Sequence, residues 1–433
     1  MTEFLNYFLS LFDLNIILKT IEIIPTFINS LSGYFWFIIA LPFLRFQLLD
    51  LTIWIIYLVR PELLISPIKI GTTAALPLVS VVIAGRNVGD NIVATITSVL
   101  NCGYPHIEVL YIDDCSSDNS VAQARSLEAT GRVRVFGSAD HNGKPTSLNI
   151  GIAMARGEFV FILDSDCEVQ YGLFSHLLAP FSDPAVGGVA ANLRVRNARE
   201  NLVTRFQECE YALNVTFSRL ARSPVQLLSI LPGAASLFRT TALRQMGGYD
   251  PGLGDDTDMT IRLRKQRWKL GFALYANVWT DVPNTWRWLM RQRMRWSRNM
   301  VKVRLHKQFD LYKPGRYGLA NTIVFLDLLI FRVLPAVMLI IALFRYASSP
   351  FSYATIVTLL YWLVVFFVLI SFLITNDIAN TPSLRHFWLA LFYPLYRLPL
   401  RIIDVIALVR ENLRIGLGHS YVPQKIWKQI PHW

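Results

Sequence analysis

Apolar positions in this chain come in two grains. Between residues 78 and 164, short apolar runs alternate with segments of about ten residues whose apolar positions recur every three or four. The runs predict strands over residues 78–84, 107–112, 133–136 and 159–164, and the segments between them predict helices over 91–100, 121–130 and 145–155. Strands interleaved with helices of that length imply an α/β domain, a mostly parallel sheet with right-handed crossovers, and ligands beyond the strand ends. Further along, residues 186–195 read as a strand element, 201–220 as a helix, and a helix opening at Asp255 runs to about residue 269.

The second grain is longer. Residues 34–59, 317–344 and 353–375 are apolar for long enough to cross a bilayer, with Arg45 and Asp50 as costly interruptions in the first. Residues 4–28 are broken by Asp13, Lys19 and Glu22, which suits an interfacial helix better than a span. Residues 388–409, broken by Pro394, Arg397, Pro399, Arg401 and Asp404, read either as a span or as an interfacial helix. The chain therefore divides into N-terminal interfacial or transmembrane helices (1–66), a soluble α/β domain (67–282), a basic amphipathic stretch (283–318) and C-terminal transmembrane and interfacial helices (319–433).

Composition agrees with that division. For 433 residues, 53% hydrophobic content and a mean hydropathy of +0.39 exceed what an ordinary soluble protein carries. The formal charge of +12 is concentrated between residues 283 and 318, where ten Lys/Arg face one acid, Asp310. Basic residues interleaved with Trp286, Trp288 and Trp296 beside apolar spans point to anionic headgroups and place the soluble domain on the cytoplasmic side of a cell membrane. Nucleic acid ranks lower as the partner of this patch, since no nucleic-acid motif accompanies it. Cys102, Cys115, Cys167 and Cys209 show no metal-type spacing and read as reduced thiols, and the N-terminus reads as lacking a secretory signal.

The chemistry sits at strand and helix ends. Phe159-Val-Phe-Ile-Leu-Asp-Ser-Asp-Cys167 is a buried strand whose tip points Asp164 and Asp166 the same way, a hard-oxygen pair suited to Mg²⁺ or Mn²⁺ that keeps positions for water and phosphate. Its plain alternative is a solvated pair at a strand end. The cluster Gly254-Asp-Asp-Thr-Asp258 opens a helix, where Asp255 and Asp256 serve either as dipole and capping groups or as catalytic carboxylates. In Gln292-Arg-Met-Arg-Trp296, Gln292, Arg295 and Trp296 share one helix face. A guanidinium there can bind a diphosphate by paired hydrogen bonds, and an indole offers an apolar platform for a sugar ring.

In this order the motifs resemble those of the membrane-embedded family 2 glycosyltransferases, the synthases of cellulose, hyaluronan, chitin oligosaccharide and poly-N-acetylglucosamine. The resemblance implies a nucleotide-diphospho-sugar fold of the GT-A type, a UDP-sugar donor, a divalent metal, and inversion at the anomeric carbon. By the same resemblance Asp113, Asp114 and Asn87 lie at the nucleotide, with Cys115 where glycine is commoner. Lys144 accompanies the diphosphate, Asp166 is the metal ligand, and Asp164 serves the metal or the ribose. Asp256 is implied as the general base, with Asp255 (in place of glutamate) and Asp258 as the other candidates. Gln292, Arg293, Arg295 and Trp296 face the leaving diphosphate, and Gly233, Ala234, Ala235 and Trp296 face the acceptor. The implied acceptor is a growing polysaccharide or a membrane lipid. The polar residues Asp327, Arg332, Arg397, Arg401 and Asp404 are candidates to line a wet path for a polymer. No motif identifies accessory export proteins.

Overall fold

Strand β4 (Phe159–Asp164) explains why the sheet forms where it does. Its residues alternate between two cores: Phe159, Phe161 and Leu163 pack with Tyr111 and Phe174 on one face, and Val160 and Ile162 pack with Val82, Leu148 and Phe238 on the other. A strand buried on both faces reads as an unbroken apolar run, and full burial of each such side chain contributes roughly 1.5–3 kcal/mol. The computed structural model describes residues 52–53, 55–64, 76–89, 91–250, 255–312, 316–328, 362, 365–366, 368–370 and 388–412.

Within them eight strands form one sheet in the order β3-β2-β1-β4-β7-β6-β8-β5. The strands are β1 (Val79–Gly85), β2 (Ile107–Asp113), β3 (Val133–Gly137), β4, β5 (Cys167–Val169), β6 (Val186–Val195), β7 (Ala235–Arg239) and β8 (Lys269–Thr280). Helices α1 (Asn91–Leu100), α2 (Ser120–Arg125) and α3 (Lys144–Met154) connect the first four. Those first four strands are mutually parallel, as the alternating pattern predicts. Beyond them the sheet becomes mixed: β7 runs antiparallel to both β4 and β6 and β5 runs antiparallel to β8, while β6 and β8 pair in parallel, so most strands still share one direction. The parallel half needs helical crossovers, whereas the second half is entered through loops and α4 (Leu173–Leu178), α5 (Leu202–Glu210), α6 (Ser218–Arg222) and α7 (Thr240–Gln245).

Three element boundaries also differ from the pattern. The segment over 121–130 breaks after α2 and ends in a 3₁₀ turn, Glu128–Thr130, closed by Gly131. The long helix over 201–220 is α5, capped by Asn201, then a π-helical turn Tyr211–Phe217, then α6. The helix at Asp255 is α8 (Asp255–Lys265), which stops short because Arg267 takes φ 64° and the chain enters β8, a twelve-residue strand that the polar start at Lys269 concealed.

The basic stretch forms one helix, α9 (Trp286–Met300), continued by a π-helical turn Val301–Lys307. α10 (Leu319–Leu328) and α11 (Leu389–Asn412) follow. Much of the basic character is spent internally: Arg293 meets Glu210, Arg298 and Lys302 meet Glu411, Arg304 donates to Ser229 O, and Lys307 meets Asp250 and Asp258. Three of the residues read as lining a wet path are likewise engaged as ties. Asp327 pairs with Arg222, Arg397 with Glu210, and Asp404 accepts from Ser297 at 2.5 Å. Among the described residues no helix is long and apolar enough to cross a membrane. The stretches over 4–28 and 353–375, most of 34–59, the latter part of 317–344, and Arg332 lie wholly or mostly outside the described residues.

Candidate active site

The chain leaves β1 for β2 and β3 on one side, then returns to β4 on the other, so a crevice opens beyond the C-terminal ends of β1 and β4. Asp164 closes β4 there, its amide donating to Ala234 O at 3.0 Å, and Lys144, the first residue of α3, places Nζ on the Asp164 carboxylate. Lys144 is set there by Asp114, whose oxygens accept from the amides of Asn142 (2.7 Å) and Gly143 (2.9 Å) and meet His141 Nδ1 at 2.7 Å. Asp113 similarly accepts from the Ser116 amide at 2.8 Å and from the Tyr111 hydroxyl at 3.1 Å. The two are only 2% and 4% exposed, and their carboxylates shape the loops around the crevice. Asn87 joins those loops, with Oδ1 accepting from the Ser117 amide at 2.8 Å. Cys115 keeps a glycine-like backbone, φ 61°, with its thiol donating to Ala139 O.

Asp166 lies two residues past the β4 tip and opens to solvent at its edge. The crevice walls still strip water from it, and with Asp164 as the second cause its carboxyl is pushed up, against the pull of Lys144. Burial works against the Lys144 ammonium, but Asp164, Asp255 and Asp256 outweigh it and hold the charge. Among the described residues no group of three or more His, Cys, Asp and Glu could hold a metal. What the chain offers is two hard oxygens under mutual repulsion. That set fits a divalent cation whose other positions go to water and phosphate.

Asp256 faces this corner from α8. Burial first, and Asp255 second, raise its carboxyl to about 6, while the amides of Thr257 (2.7 Å from Oδ1) and Gly233 and the charge of Lys144 favour its ionised form. A Cβ on Gly233 would lie 3.4 Å from Asp256 Cβ. Gly233 and Ala234 therefore run between Asp256 and Asp164, and Ala235 pairs with Leu163 in the sheet. Tyr249, which the motifs did not reveal, belongs to the same group. Its phenol is raised well above the usual range by burial and then by Asp255, Asp256 and Asp164. Asn149 holds it by the backbone, accepting from Tyr249 N at 2.6 Å and donating to Tyr249 O at 2.7 Å. Gly248, at φ 77°, must be glycine here, because a Cβ would sit 2.3 Å from Asn149 Oδ1.

Asp258, the third candidate base, is a structural residue. It is fully buried and takes Arg262 Nε at 2.8 Å, Gln308 Nε2 at 2.7 Å and Lys307 Nζ at 2.9 Å, so it bolts α8 to the turn that follows α9. Asp258→Ala leaves Arg262 without a carboxylate and Lys307 with Asp250 alone, and a loss of about 3 kcal/mol is expected from breaking such a buried cluster. Thermal unfolding of the purified variant checks this.

On α9, Trp296 is 38% exposed and Gln292 Oε1 is buried without a hydrogen-bond partner among the described residues. Arg295 is half-buried. Arg293, assigned to the leaving group, instead turns to Glu210 at 2.9 Å, with its guanidinium 4.4 Å from the centre of the Trp296 ring. Tyr211 opens the π-helical turn that follows α5. It packs in the same core as Cys167 and Ala235, and its phenol is pushed up to about 12 by burial, with Arg293, Glu210, Cys167 and Arg219 all acting on it. Cys167 adjoins Asp166, Arg293 underlies Trp296, and Arg219 acts electrostatically on Asp256. Arg219 Nη1 is buried with no hydrogen-bond partner among the described residues. Asp164, Lys144, Asp255 and Asp256 thus share one charged corner beyond the tip of β4, and Trp296 stands on α9 against Arg293.

Residues 77–299, just over half of the chain, match the model of the family described as glycosyltransferase-like family 2. The chain belongs to that family. Its similar relatives include the poly-β-1,6-N-acetyl-D-glucosamine synthases of Staphylococcus aureus and Staphylococcus epidermidis, each 26% identical over 243 residues, or 56% of this chain. The match spans 59% of those relatives' own length. Among solved structures, a mannosyltransferase of Pyrobaculum calidifontis, in complex with GDP-mannose and Mn²⁺, superimposes over 87% of this chain and 99% of its own with a TM-score of 0.54 at 17% identity. That likeness establishes the shared fold. The family's glycosyltransferase domain therefore coincides with the sheet and α9, and every carboxylate of the crevice lies inside it.

Proposed function

We propose that this chain is an inverting, metal-dependent membrane glycosyltransferase that moves a sugar from a UDP-sugar to a growing polysaccharide at the cytoplasmic face of the cell membrane and passes the product outward. The observation that carries the reading is the corner in which Lys144 pairs with Asp164 and feels Asp255 and Asp256, with the carboxyls of Asp166 and Asp256 both raised by burial and a like charge. Asp256, with a carboxyl near 6, takes the proton from the acceptor hydroxyl as that oxygen attacks the anomeric carbon from the face opposite the diphosphate, which inverts the centre. The indole of Trp296 carries the acceptor ring, and Gly233-Ala234-Ala235 lets it approach the backbone beside Asp256. Mg²⁺ or Mn²⁺, held by Asp166 and Asp164 when bound, supplies Lewis-acid neutralisation of the departing diphosphate. Lys144 fixes Asp164, and Gln292 and Arg295 face the leaving group from α9.

The apolar stripe of Trp388, Phe392, Leu395, Leu398, Ile402 and Ile406 on α11, opposite the side buried through Tyr393, Tyr396 and Leu400, supports a bilayer as that helix's surroundings. It also supports the second reading, transfer of a single sugar to a lipid. Incubating full-length protein in nanodiscs with a panel of UDP- and GDP-sugars and Mn²⁺ separates the two. UDP release with long products and without added lipid acceptor is expected. One sugar per added lipid would establish the second reading in its place.

A further inference from the structure

Glu210 is the last residue of α5 and is 7% exposed. Three groups converge on its carboxylate: Arg293 Nη2 of α9 at 2.9 Å, and from α11 Arg397 Nη1 at 2.8 Å and the Tyr396 hydroxyl at 2.7 Å. Burial alone would raise this carboxyl, but the two guanidiniums outweigh it and hold the group ionised. The three helices have no need of charge to stay together. Val203, Phe206, Leu289, Leu389, Tyr393 and Leu400 already form an apolar core between them, and Phe206 stacks on Tyr396 at 4.9 Å. Apolar residues of similar volume would serve adhesion as well or better than a buried ion cluster. What the cluster adds is direction. A guanidinium gripped on one edge has its plane fixed, and this one lies 4.4 Å from the centre of the Trp296 ring.

We propose that Glu210 is a positioning residue for Trp296: through Arg293 it fixes the orientation of the indole, and through Arg397 and Tyr396 it makes that orientation depend on the seating of α11. The functional half rests on the reading of Trp296 as the acceptor platform. A movement of α11 against α5 would then be felt at the sugar site through a single carboxylate.

The test uses full-length protein labelled with 5-fluorotryptophan, with the Trp296 ¹⁹F resonance assigned by its loss in Trp296→Phe. In Glu210→Gln, and in Arg293→Lys as a milder second variant, the Trp296 resonance is expected to shift and broaden while resonances of tryptophans remote from the cluster stay in place. An unmoved Trp296 resonance in folded Glu210→Gln overturns the proposal without touching the function assigned to the site. UDP release with the most active donor gives the second arm. Glu210→Gln is expected to lose about tenfold and Trp296→Ala about a hundredfold, with the double variant within about twofold of Trp296→Ala, since the carboxylate acts through the indole. Losses that multiply in the double variant overturn the positioning role. Full transfer by Trp296→Ala overturns the platform reading and the functional half together.

Discussion

Asp256→Asn is expected to lower sugar transfer by about 10²–10⁴-fold while leaving nucleotide binding intact, because a general base contributes on that scale to an attack by an alcohol. The same substitution should make the protein more stable. Asp256 sits in buried surface beside Asp255, and its folded carboxyl is held at about 6, above its ordinary value of 3.8. A raised carboxyl binds its proton more tightly in the folded state, so folding is penalised once pH exceeds the unfolded value, and the penalty is fully present above the folded one. Metal-free Asp256→Asn should therefore unfold at a higher temperature than the unsubstituted protein at pH 8, with the difference vanishing near pH 3. The activity profile carries the same signature. Turnover by the unsubstituted enzyme should fall as pH drops through about 6. Asp255→Asn, which removes the second cause of the raised value, should move that limb to lower pH. Nucleotide release assayed from pH 5 to 8, with calorimetry of the same samples, checks both. Retention of more than about a tenth of wild-type transfer by Asp256→Asn would remove it from the mechanism.

Why the sequence revealed one half of this molecule better than the other follows from how each half is held. α1 occupies residues 91–100, as expected from its spacing, because an amphipathic helix against a parallel sheet writes its burial directly into a 3.6-residue period. β4 was equally plain, since a strand covered on both faces is apolar throughout. β8 was not, because it opens with Lys269, carries Asn277 within the ladder, and is recognisable only once β6 lies beside it. The site divides in the same way. Spacing could show that Asp164 and Asp166 share a face and that Gln292, Arg295 and Trp296 share another. It could not show that Asp258, two residues from Asp256, turns inward to Lys307 and Gln308, nor that Arg293, lying against Trp296, pairs with Glu210. Adjacent residues on a helix diverge by about a quarter turn, and which of them meets the crevice is decided by partners far along the chain. The same is true of Tyr211, whose place depends on contacts with strands and helices separated from it in sequence.

Asp166→Asn is expected to lower transfer by about 10²-fold or more, and the residual activity should require higher Mn²⁺, because one of two protein oxygens available to the ion is gone. The carboxylates of Asp164 and Asp166 are not equivalent. Lys144 pairs with Asp164, whereas among the described residues the hydrogen-bonding side chain at Asp166 is Cys167, whose Sγ approaches weakly at 3.6 Å, and Asp166 feels Asp164 as a like charge. The unmet demand for positive charge is therefore at Asp166. Mn²⁺ titrations followed by electron paramagnetic resonance should show affinity in the presence of UDP falling at least about tenfold for Asp166→Asn. Lys144→Met should weaken nucleotide binding in the same experiment, because it withdraws the cation beside the diphosphate and leaves Asp164 uncompensated. The metal-free proteins should behave in the opposite sense. With the repulsion from Asp164 relieved, Asp166→Asn should unfold at a higher temperature than the unsubstituted protein above the folded value of Asp166, and the difference should close as pH falls below the carboxylate range. Loss of activity with unchanged Mn²⁺ affinity would move Asp166 from metal ligand to donor contact, and the hard-oxygen site would then have to be built on Asp164 alone.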